Sequence, residues 1–111
     1  MPDLGSGVYV SRVDSAEFEP DDDAGGLVHM LFEDGDAMAG IWRPEPDVRR
    51  EYQAGEASAR ETVVVLSGSA RIEIRGGPTL DLNVGDMASL PKGAVATWFP
   101  SLDFKKVWVP S

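Results

Sequence analysis

Cysteine is absent from this chain of 111 residues, and histidine occurs once, as His29. The first absence excludes disulfides and thiolate metal sites; the second excludes a multi-histidine centre within one subunit. No apolar run approaches the roughly 20 residues of a membrane-spanning helix, and no N-terminal stretch has the charged-then-apolar layout of a signal peptide. A soluble, cytoplasmic protein with no membrane partner is expected. Also missing are a glycine-rich phosphate loop ending in Lys-Ser or Lys-Thr and a Gly-x-Ser-x-Gly elbow, so a serine triad would have only His29 to serve as its base. Positive charge is scarce in the first half: residues 1 to 47 hold twelve acidic residues against Arg12 and Arg43, whereas the remainder holds seven acidic against eight basic. A nucleic-acid partner is therefore not expected, and the acidic half reads as a solvated surface.

What the chain does have is frequent punctuation between short apolar runs, the pattern of an antiparallel all-β domain. Strands are expected over Gly7 to Val13, Leu27 to Phe32, Ala37 to Arg43, Thr62 to Leu66, Ala70 to Arg75, Thr79 to Val84, Met87 to Leu90, Val95 to Phe99 and Phe104 to Val109. Gly, Pro and Asp cluster between them, as in Asp21-Asp22-Asp23-Ala24-Gly25-Gly26 and Gly76-Gly77-Pro78, and mark turns. Ala70 to Arg75 and Thr79 to Val84 alternate apolar with charged or polar residues around Gly76-Gly77-Pro78, so they read as a hairpin with one wet face. The length suits one domain with one core. Residues 1–26 are read as an N-terminal arm or edge strand, open to partial disorder, and residues 27–111 as the domain proper.

The run Gly85 to Phe99 contains Gly85-Asp86, four residues, Pro91, one residue and Gly93. A Gly, Pro and Gly at fixed spacing arises by chance in about one chain of this length in forty at average usage. Upstream, Glu61 is separated from the turn glycine Gly68 by the six residues Thr62-Val63-Val64-Val65-Leu66-Ser67. Together these segments resemble the two motifs of the cupin superfamily (RmlC-like). The tail, Ala94 to Trp98 followed by Phe104-Lys105-Lys106-Val107-Trp108-Val109, is similar to the endings of the third cupin subfamily, which includes ethanolamine-utilisation and ureidoglycine-aminohydrolase-like proteins. The resemblance spans residues 37 to 109 and implies an antiparallel double-stranded β-helix, the cupin jelly-roll barrel. Gly68, Gly85, Asp86, Pro91 and Gly93 are read as turn-makers that report the fold and not the chemistry.

Cupins typically hold Mn, Fe, Ni or Zn with three imidazoles and one carboxylate. Aligned back from Glu61, the family's two upstream histidines fall at Ala54 and Glu56, or at Gly55 and Ala57, and the third at Ala96. Only Glu61 matches, so no metal and no other cofactor is expected. His29 reads as an ordinary strand residue, hydrogen-bonded or at an edge. The cavity that a cupin barrel encloses remains to be filled. If Glu61 points inward, the period of two sends Val63 and Val65 inward with it, and Ala96 shares a face with Trp98. The last strand presents Phe104, Lys106 and Trp108 on one face. Trp42, Tyr52, Glu61, Trp98, Lys106 and Trp108 are the expected ligand contacts, with Glu61 and Lys106 the candidates for acid-base catalysis. Arg49 and Arg50 read as solvated surface.

Three functions follow from these residues. The first is metal-independent binding of a small molecule in the barrel, such as an amine, a ureide or another polar metabolite. The second is an enzyme of amine, ureide or sugar metabolism with Glu61 as base and Lys106 as electrostatic partner. The third is a non-catalytic homodimeric assembly module, pairing through sheet edges.

Overall fold

Alternation of period two sets the strands and their faces. In Ser69–Ile74, Ala70 and Ile72 are buried while Arg71 and Glu73 between them are exposed. The structure is a computed structural model that describes residues 5–15, 17–53 and 56–111. Among these residues there are ten strands: β1 (Glu19–Pro20), β2 (Leu27–Asp34), β3 (Ala37–Arg43), β4 (Tyr52–Gln53), β5 (Glu61–Ser67), β6 (Ser69–Ile74), β7 (Thr79–Asn83), β8 (Met87–Leu90), β9 (Ala96–Pro100) and β10 (Lys105–Pro110). They form a six-stranded sheet in the order β1-β2-β3-β10-β5-β8 and a four-stranded sheet in the order β4-β9-β6-β7, and every pairing is antiparallel. This is the all-β jelly-roll that the sequence leads one to expect. Among the described residues no helix is long and apolar enough to cross a membrane.

The inner faces of the two sheets meet in one core, with Val63, Val65, Ile72, Leu82, Leu90 and Phe104 buried among its members. The expected hairpin is present: β6 and β7 pair from Ser69↔Asn83 to Glu73↔Thr79 across the Gly76-Gly77-Pro78 turn. Asp86 caps its own turn, its Oδ2 accepting from the Asn83 amide at 2.8 Å.

Gly7 to Val13 does not form the expected strand and contributes only an isolated bridge at Tyr9. Ser6 and Gly7 both have positive φ there. Val8 and Val10 face solvent, so the segment has little apolar surface to bury and nothing drives a ladder. Tyr9 instead stacks on Phe32 at 5.8 Å, against the sheet's outer face. Two strands of two residues each, β1 and β4, were not anticipated. Their lengths are too short for periodicity to register.

Gly68 joins β5 to β6 with φ +68°, and a Cβ there would lie 2.5 Å from Ser101 Oγ and 2.8 Å from the Phe104 Cα. Gly68→Ala combines left-handed strain with a clash against backbone. It is expected to lower stability by about 1–3 kcal/mol, read as a fall of several degrees in Tm by thermal denaturation. A Tm within a degree of the wild type would mean that the turn relaxes freely.

Candidate ligand-binding cavity

All six side chains nominated from the sequence, Trp42, Tyr52, Glu61, Trp98, Lys106 and Trp108, line one cavity of about 490 Å³. The register explains their convergence. Lys106 of β10 lies opposite Trp42 of β3 and Val65 of β5, and Tyr52 of β4 lies opposite Trp98 of β9. Inward positions of five strands from both sheets thus meet at one end of the barrel.

The aromatic walls are braced from behind. Trp42 and Tyr52 meet edge to face, with ring centroids 5.0 Å apart and planes at 83°. Phe104, fully buried, touches both Trp42 and Trp98 at centroid distances of 6.2 and 6.1 Å. The polar handles of the two outer rings are spent on backbone: Trp42 Nε1 donates to the Gly25 carbonyl at 2.8 Å, and Tyr52 Oη accepts from the Glu45 amide at 2.9 Å. Gly26, with φ +76°, lets the 21–26 loop lie directly on the Trp42 ring, 2.6 Å from where a Cβ would stand. The rings therefore offer the cavity mainly their apolar faces, held in fixed positions.

One cation sits among them. Lys106 is 7 % exposed, and its Nζ lies 3.6 Å from the Trp98 ring centroid and 5.4 Å from that of Trp42. It donates to Glu61 Oε2 at 3.3 Å. Burial pulls the Lys106 amine below the ordinary lysine range, and the charge and hydrogen bond of Glu61, with a contribution from Asp21, oppose that pull. Cation–π contact of this kind compensates part of the lost hydration. The separation of 3.3 Å is longer than the 2.7–2.9 Å usual for a charge-assisted N–H···O bond, so the pair is held loosely.

The expected inward direction of Val63 and Val65 holds, since both are buried in the core. Ala96 pairs with Ile74 and packs against the core without lining the cavity. Glu56 is exposed and Ala57 half-buried, while Ala54 and Gly55 lie outside the described residues. His29 is a buried, hydrogen-bonded strand residue: Nδ1 contacts the Glu17 carbonyl and Nε2 contacts Ser11 Oγ, each at 2.7 Å. Arg50 is less free than a solvated side chain, because its guanidinium lies 4.1 Å from the Tyr52 ring centroid and 3.7 Å from Glu45.

The sequence did not point to the cavity's mouth. Glu19, Asp21, Asp22, Asp23 and Glu33 line it, together with Met30 and Met38. The methionines were legible in principle, since Met30 follows Val28 at period two on β2. By composition alone the acidic residues amount to a turn and a solvated surface. Only the pairing of β1 with β2 folds the 21–26 loop over the barrel end, fixed by Asp21 Oδ1 accepting from the amides of Asp23 and Ala24 at 3.0 Å.

The residues at the place of the family's metal do not fit a divalent ion. Glu61 is the one carboxylate, and it faces an ammonium instead of a metal; Ala96 offers a methyl group. Among the described residues no three His, Cys, Asp or Glu side chains gather as ligands.

Residues 31–108 match the family model of the EutQ-like cupin domain. No curated protein sequence matches the chain. Among solved structures, a putative ethanolamine utilization protein Q from Salmonella typhimurium LT2 is 19 % identical, with TM-score 0.67, covering 84 % of this chain and 76 % of its own. A cupin-like protein from Thermotoga maritima MSB8 is 17 % identical, with TM-score 0.66 and coverages of 85 % and 75 %. The iron(II) form of HppE in complex with substrate is 13 % identical, with TM-score 0.73, covering 98 % of this chain and 63 % of its own. At these identities the likeness is one of fold.

Proposed function

We propose that this chain, which belongs to the EutQ-like cupin domain family, binds a small polar molecule in the barrel without a metal. The observation that carries the reading is the cavity of about 490 Å³ in which Lys106 is suspended between Glu61 and the face of Trp98. A buried ion pair is poor value for stability alone, since apolar residues of similar volume often serve as well or better. A lysine kept in that position therefore argues for work done on a ligand. Aromatic walls around one buried lysine suit a small organic molecule, and the carboxylates at the mouth suit one that brings N–H donors. An amine or a ureide fits both requirements. Volume alone is ample for such a molecule.

The test is a thermal-shift screen across amines, ureides, sugars and small acids. A ligand present at about 100 times its Kd stabilises by about 2.7 kcal/mol, on the order of 10 °C for a domain of this size. The shift is expected to vanish in Trp98→Ala and to fall strongly in Glu61→Gln. A hit that persists undiminished in both variants would remove the site from this cavity.

A second reading, acid-base catalysis, is favoured by one specific feature. Lys106 donates to Glu61 at 3.3 Å beside open volume, an ammonium and a carboxylate in the arrangement a general acid or base requires.

A further inference from the structure

We propose that Lys106 captures carbonyl compounds: its Nζ forms a reversible imine with a small uncharged aldehyde that enters the cavity, and Glu61 moves the proton. The inference rests on the reading that the cavity admits a small ligand.

The geometry supplies the three things imine formation needs. The first is an amine that faces open volume but not bulk water, and Lys106 lines the cavity while being 7 % exposed. Desolvation favours the neutral, nucleophilic form of such an amine, as its lowered proton affinity reflects. The second is a proton carrier within reach, which Glu61 provides at 3.3 Å through a bond loose enough to be remade. The third is a wall that holds the carbonyl compound against the amine; Trp42, Trp98 and Trp108 form it.

The steps balance without a further reagent. Lys106 passes a proton to Glu61, leaving a neutral amine beside a carboxylic acid. The nitrogen lone pair attacks the carbonyl carbon, a C–N bond forms, and the π pair moves to oxygen. That oxygen takes the proton from Glu61, and Glu61 then removes one from nitrogen to leave a neutral carbinolamine. Glu61 returns this proton to the hydroxyl group, water departs, and the nitrogen lone pair closes the C=N bond. The product is a protonated imine with the Glu61 carboxylate as counter-ion, plus one water. The charges facing this nitrogen are Glu61 directly, Asp21 at longer range, and Glu19, Asp22, Asp23 and Glu33 around the mouth. All are acidic, so they stabilise the cationic imine and repel anionic aldehydes.

The chain carries its own controls, for its only other lysines are Lys92, which is exposed, and Lys105, which is half-buried outside the cavity. The experiment treats the protein near neutral pH with butyraldehyde and cyanoborohydride, which reduces the imine to a stable secondary amine, and maps the alkylated peptides by mass spectrometry. Lys106 is expected to react about ten-fold or more faster than Lys92 and Lys105, and Glu61→Gln is expected to slow Lys106 alone by about ten-fold or more. Glyoxylate, an anionic aldehyde, should react at Lys106 more slowly than butyraldehyde does. Lys106 reacting no faster than Lys105 overturns the proposal, and needs no variant to show it. Butyramide, whose carbonyl does not condense with amines, separates the two failures through tryptophan fluorescence. Quenching by butyramide with no preferred adduct on Lys106 overturns imine formation and leaves the binding cavity standing; neither quenching nor adduct overturns both.

Discussion

Replacing Phe104 by alanine is expected to cost about 3–5 kcal/mol of folding stability, the largest effect of any single substitution considered for this chain. Phe104 has no exposed surface, and among the described residues it is the one ring paired with both Trp42 and Trp98. Removing it takes away the transfer energy of an aromatic ring and opens a void that the two tryptophans cannot fill. They are tethered elsewhere, Trp42 through Nε1 to the Gly25 carbonyl and Trp98 by its strand opposite Tyr52 and Ile72. Since whole domains are stable by about 5–15 kcal/mol, such a loss is a large share of the total. Urea denaturation at 25 °C measures it directly, and Phe104→Leu, which keeps most of the volume, should cost under about 1.5 kcal/mol. Ligand binding is the second readout. With their backing gone, the rings lose their fixed spacing, so any ligand-induced Tm shift should shrink in Phe104→Ala even where the variant is still folded. A cost below about 1.5 kcal/mol for the alanine variant would mean that the barrel end collapses around the gap and that Phe104 does not brace the cavity.

The cavity was legible in the sequence wherever a side chain's direction depends on strand period alone. Glu61, Val63 and Val65 follow one another at steps of two along β5, and so does the pair Lys106 and Trp108 on β10, which is enough to say which of them face inward. The turn residues were equally readable, because Gly68, Gly85 and Gly93 each adopt a positive φ that few other residues accept. Alternation places Phe104 on the face of Lys106 and Trp108, which is correct as a direction, but it does not encode depth. Phe104 sits beneath the cavity floor and not along its wall. The acidic mouth was hidden for a different reason. Asp21, Asp22 and Asp23 form a turn by their own composition, and nothing local distinguishes a turn in open solvent from one folded across a barrel end. That difference is made by β1, two residues long, pairing with Leu27 and Val28. Gly7 to Val13 failed in the opposite sense: its content of β-formers is genuine, but the valines face solvent, and a pattern without a surface to bury does not make a strand.

The pair Glu61–Lys106 gives the second large effect, and its dependence on pH carries the sign of the electrostatics. Glu61→Gln leaves the Lys106 ammonium in its aromatic surroundings without a counter-ion. Breaking a fully buried pair from one side costs about 3–5 kcal/mol. Here the Glu61 side chain is 30 % exposed and solvent screens part of the interaction, so about 1–3 kcal/mol is expected near neutral pH. Lys106 already holds its proton less tightly than an unfolded lysine, chiefly because of burial, and Glu61 is the main influence raising its affinity back. The folded state thus binds fewer protons than the unfolded chain just below the ordinary lysine range, and in that window the contribution of Lys106 to stability rises with pH. In Glu61→Gln the raising influence is gone and the window reaches to lower pH. The penalty of the variant is therefore present below that window and fades as pH climbs through it toward the ordinary lysine range. Thermal denaturation of both proteins across that range should show the Tm gap closing as pH rises. Lys106→Met, which removes the buried charge, keeps a flexible apolar side chain and leaves the partly solvated Glu61 carboxylate behind, should cost less than Glu61→Gln and should abolish ligand binding and imine capture together. A gap that stays constant or widens with pH would show that Glu61 does not serve as the counter-ion of Lys106. The ammonium would then be held by the tryptophan faces alone, and the proton route through Glu61 would have no footing.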